Sequence, residues 1–176
     1  MAKNAFPYGL DFKNTDFRQH PELYRIGVGE QGVLLVEPYK SEILPHWRFK
    51  NEAMATASAQ KIYGLFEEYL AQHDFVGADI ARKFLQMGFT RARRYANHKG
   101  GRKYKPSAED NSAGLPYPYS SGSAHKGNEI LPQEEDALSN EKALAAAIFK
   151  EYWFKAKDHP AYLAQKKEFR EKYYVP

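Results

Sequence analysis

From residue 51 to residue 72, apolar side chains recur every three or four positions, at Ala55, Ala59, Ile62, Phe66 and Tyr69. That spacing stacks them on one face of an α-helix and commits the middle of the chain to helical packing. Asn51 stands where an N-cap is needed. Asp74 is placed to cap a second helix, residues 75–87, with Val76, Ile80, Phe84 and Met87 on its apolar stripe and Gly88 as its stop. Thr90 would then cap a third, residues 91–99, ended by Gly100 and Gly101. Ser139 or Asn140 opens a fourth carrying Leu144, Ile148 and Trp153 and ending before Asp158, and Pro160 suits the first turn of a fifth, which reaches about Tyr173.

The N-terminal third reads differently. Residues 8–20 alternate loosely, as an extended arm would. Residues 23–26 and 33–36 are two β-type runs around the glycine-rich connection 27–32, which reads as a hairpin, and residues 46–50 would add a short strand. The expectation is an α+β fold, mainly helical with about five helices and a small N-terminal antiparallel β-hairpin or sheet. No internal repeat or linker divides the chain, so residues 1–176 are expected to form one domain. Residues 106–132 contain 14 Gly, Pro, Ser or Asn in 27 positions, the composition of an irregular Gly/Ser/Pro-rich loop at about 106–133.

Charge is the strongest functional signal. The net charge is only +4, but residues 82–105 hold nine basic side chains and no acidic one. The segment therefore carries +9 and the remainder −5, a segregation that points to a polyanionic partner. The candidate phosphate-binding residues are Arg82, Lys83, Arg91, Arg93, Arg94, His98, Lys99, Arg102, Lys103 and Lys105. Tyr95 and Tyr104 are placed among them to stack on unpaired bases. The leading expectation is a nucleic-acid-binding protein, with DNA or RNA as partner. Two alternatives use the same cations: an enzyme acting on a phosphorylated small molecule, and an assembly or adaptor protein docking on an acidic protein surface.

Other chemistry finds less support. With no Cys the chain offers no disulfide and no thiol nucleophile, and its six His are scattered without ligand spacing, so no metal and no cofactor are expected. No leader-like or membrane-spanning run is visible, which leads to the expectation of a cytoplasmic protein without a membrane partner. The junction Gln-Met-Gly-Phe-Thr at 86–90 invites comparison with a helix-turn-helix, but Phe84 and Arg94 stand where a small and an apolar residue belong. Gly27, Gly29 and Gly32 spell GxGxxG, yet a strand-like run follows where a dinucleotide site needs a helix.

Two stretches, Gly-Glu-Gln-Gly-Val-Leu-Leu-Val-Glu-Pro-Tyr-Lys-Ser-Glu-Ile-Leu-Pro-His-Trp-Arg-Phe-Lys at 29–50 and Ala-Arg-Lys-Phe-Leu-Gln-Met-Gly-Phe-Thr-Arg-Ala-Arg-Arg-Tyr-Ala-Asn-His-Lys at 81–99, resemble an uncharacterised family of bacterial and bacteriophage proteins. That family is known only as a domain of unknown function. The resemblance covers most of the chain and implies no activity, so no residue takes a role from it.

Overall fold

A computed structural model describes residues 4–105 and 128–176. Five α-helices are present among them: α1 (Tyr39–Ile43), α2 (Glu52–Ala71), α3 (Phe75–Asn97), α4 (Glu141–Lys157) and α5 (Pro160–Tyr173). Their caps follow local chemistry. The Asn51 side chain accepts from the Met54 N–H at 2.9 Å, Asp74 from Gly77 at 3.3 Å and Asn140 from Ala143 at 2.9 Å. Each satisfies a donor that the first helical turn leaves open.

α3 is the axis of the molecule. It packs most extensively on α4 and then on α2, while α1 and α5 close over it. From Phe75 to Leu85 every residue is buried, so the first half of this helix is enclosed on all sides rather than presenting a single apolar stripe. Aromatic rings carry the core outward. Phe6, Phe12, Phe17, Tyr24 and Phe169 follow one another at centroid separations of 5.5 to 6.1 Å, joining the N-terminal segment to α5. Asn4 and Val175 seal this contact with a reciprocal pair of hydrogen bonds.

The expected α+β class is wrong: among the described residues there is no strand or sheet. The supposed hairpin is a succession of turns, with Gln31, Val33 and Leu35 N–H groups donating to Val28, Glu30 and Gly32 carbonyls. The reason is visible in α3. The buried Lys83 ammonium takes the Gly27 and Gln31 carbonyls at 3.3 and 2.5 Å, which bends the loop around a charge instead of along a partner strand. Val33 and Val36, three apart, then enter the core together. A four-residue apolar run fits that turn as well as it fits a strand.

Residues 46–50 make no ladder either; Trp47 donates to the Phe84 carbonyl at 3.1 Å and the Arg48 N–H to Ser58 at 3.0 Å. The arm at 8–20 contains a single 3-10 turn, Phe12–Asn14. Of the loop expected at 106–133, residues 106–127 lie outside the described residues. No helix among the described residues is long and apolar enough to cross a membrane.

Candidate functional site

The two helices expected at 75–87 and 91–99 are one. Gly88 does not stop α3: the ring of Phe149 on α4 lies against it, and a β-carbon there would come within 2.3 Å of that ring. Thr90 is an interior residue whose hydroxyl donates to Glu30. A helix continuous from Phe75 to Asn97 has no turn to offer DNA, so the helix-turn-helix comparison falls away.

α3 distributes the basic segment along its length, and the distribution sorts the twelve candidate residues. Arg82 and Lys83 belong to the interior. Asp79, fully buried, accepts from Arg82 Nε at 2.9 Å, from Tyr162 at 2.7 Å and from Tyr24, and pairs with Arg82 Nη2 at 2.8 Å. Burial alone would raise the Asp79 carboxyl, but Arg82, Lys83 and the two hydroxyls outweigh it and hold the group well below the usual carboxylate range. Lys83 is at 0% exposure and cannot reach an external phosphate.

Arg93 and His98 are partly committed to structure. Arg93 donates from Nε and Nη2 to Asn97 Oδ1 at 3.0 and 2.8 Å, and Nη2 also reaches the Ala137 carbonyl. His98 is buried with Nδ1 3.3 Å from the Pro132 carbonyl; because a carbonyl only accepts, Nδ1 carries the proton.

The remaining residues gather where α3 ends. The helix stops at Asn97, and Gly100 and Gly101, at φ of +63° and +72°, turn the chain back so that residues 102–105 lie beside α3. The Lys105 N–H donates to Glu129 and the Leu131 N–H to Lys103, both at 2.8 Å, around an isolated antiparallel bridge between Tyr104 and Ile130. Lys99 is thus off the helix it was expected to share with Arg91 and Tyr95.

Between α3 and the returning segment lies a pocket of about 440 Å³ ringed by Arg93, Arg94, His98, Lys103 and Tyr104. The Arg94 guanidinium and Lys103 ammonium lie 6.0 and 5.4 Å from the Tyr104 ring centre. Lys99, Arg102 and Lys105 are exposed beside it, while Arg91 is half-buried on the last turns of α3. Lys105 approaches Glu129 at 4.0 Å with both side chains largely in water, a pairing a phosphate can readily replace. Tyr95 is 39% exposed, its ring edge-on to Phe49 and pressed on Gly101.

Two cations the basic-segment reading missed extend this surface from α4. Lys142 lies over the rings of Phe49 and Tyr95, at 5.0 and 5.8 Å, and Lys150 lies 5.7 Å from Phe89. Only the packing of α4 on α3 brings them here; no local pattern announces it.

A family described as a domain of unknown function (DUF4385) matches residues 7–172. No curated protein and no solved structure matches the chain.

Proposed function

We propose that this chain, which belongs to the DUF4385 family, is a nucleic-acid-binding protein that grips a phosphate backbone where α3 ends and the chain turns back. One observation carries the reading: Arg94, Lys103 and Tyr104 border a single pocket, with Lys99, Arg102 and Lys105 exposed along the same turn. Clustered cations gain affinity by releasing counterions from a phosphate chain, and Tyr104 and Tyr95 add ring faces on which unpaired bases can stack. A single strand therefore fits better than a duplex. The bacterial and bacteriophage setting implied by the resemblance agrees with this by association only, and such a protein would act in the cytoplasm.

Fluorescence anisotropy with labelled single- and double-stranded DNA and RNA, at about 50 and 200 mM salt, tests the reading. The expected result is tighter binding to single strands, weakened at least about tenfold at the higher salt. No binding at low salt, or binding indifferent to salt, contradicts it.

A further inference from the structure

A second cleft, of about 500 Å³, opens between the glycine loop, α3, the end of α4 and α5, and shares no lining residue with the pocket at Tyr104. Four cations line it, Arg82, Lys157, Lys166 and Arg170, against one carboxylate, Asp158, which leans to Lys157 at 3.3 Å. Burial first, and then the neighbouring Arg170, pull the Lys166 ammonium below its usual pKa. Like charges crowded into a recess are stabilised when an anion joins them.

The donors are held in place. Arg82 donates through Nε to Asp79 at 2.9 Å and through Nη1 to Gln86 at 3.2 Å, and its Nη2 lies 2.8 Å from Asp79 in an ion pair. Asp79 fixes the guanidinium from behind, so it is ordered before any ligand arrives. On the cleft's rim the N–H groups of Gly27 and Gly29 have no acceptor among the described residues. Gly29 adopts φ +59°, which disfavours a side chain there, and Lys83 ties the loop down through the Gly27 and Gln31 carbonyls. A glycine loop with open N–H groups beside the fixed Arg82 guanidinium suits a phosphate group. Trp153 and Tyr162 supply aromatic wall.

We propose that this cleft binds a compact phosphorylated molecule of nucleotide size, its phosphates held by Arg82, Lys166, Arg170 and the glycine loop and its remaining part against Trp153. The volume fits one drug-sized ligand. This binding is separate from the nucleic-acid surface.

The test is isothermal titration calorimetry on the full chain with ATP and with inorganic pyrophosphate. Binding with Kd below about 1 mM is expected. Lys166→Gln and Arg170→Gln should each weaken it about tenfold, while Lys61→Gln, an exposed charge on α2, leaves it unchanged. Arg170 is exposed, so its variant keeps the test alive should Lys166→Gln fail to fold. Pyrophosphate binding as well as ATP would support the proposal through the phosphates alone; ATP binding alone would support it with Trp153 contributing. The proposal is overturned if neither probe binds, if both cleft variants bind as wild type does, or if Arg102→Gln/Lys103→Gln abolishes binding instead. Oligonucleotide binding measured on the same variants keeps the two sites apart.

Discussion

Asp79 and Lys83 share the buried stretch of α3, one balanced by its partners and the other opposed by its surroundings. Burial pushes the Lys83 ammonium from 10.5 down to about 8, although Asp79 pulls it upward. A lysine lowered on folding works against the fold wherever both states are charged, below pH 8, and this opposition fades as pH rises from about 8 to 10.5. Tyr24, Tyr39, Tyr69 and Tyr162 act in the opposite sense: burial pushes all four hydroxyls upward, so the fold loses stability once unfolded tyrosines ionise above about pH 10. Urea unfolding measured from pH 7 to 11 should show stability rising from pH 8 to about 10 and then falling. Lys83→Met should remove the rise; a rise that survives the substitution would exclude Lys83 as its source.

Among the elements, α3 depends on how closely α4 can approach. Gly88→Ala gains helix propensity of about 1 kcal/mol but drives a methyl into Phe149, and overpacking of this kind costs about 1–3 kcal/mol and more where backbones must part. The variant should be destabilised by up to about 2 kcal/mol in chemical denaturation; an unchanged or raised midpoint would show that Phe149 moves aside freely. The same glycine explains what was legible. Asn51, Asp74, Asn140 and Pro160 marked helix starts correctly because a cap is satisfied within a single turn. Gly88 looked like a stop because its partner lies 61 residues away, at Phe149. α1 is hidden between Pro38 and Pro45, and the turns at 28–35 carry the pattern of a glycine connection leading into a strand at 33–36 because what bends them is the side chain of Lys83. Miscounting α3 as two helices and omitting α1 left a total of five by coincidence.

Across the whole molecule, the +9 segment does not survive as one surface. α3 carries Arg82 and Lys83 into the core and delivers Arg93 and Arg94 to its far end, so a block of cations continuous in the chain becomes two cationic recesses. Five of the twelve candidate residues, Arg93, Arg94, His98, Lys103 and Tyr104, meet around one pocket. Composition announced the charge, but which of it stays inside depends on distant partners, Asp79 for Arg82 and the Gly27 and Gln31 carbonyls for Lys83. The second recess draws Lys157, Lys166 and Arg170 from helices outside the basic segment, where they were offset by acids in any linear count. The central claim is that the exposed cations after α3, and not the whole basic run, meet the phosphates. Its most direct test is the slope of log K against log salt for a single-stranded oligonucleotide, compared between wild type and Arg102→Gln/Lys103→Gln/Lys105→Gln. Loss of three phosphate contacts should flatten the slope by about 2; a slope unchanged by the triple substitution would contradict the account.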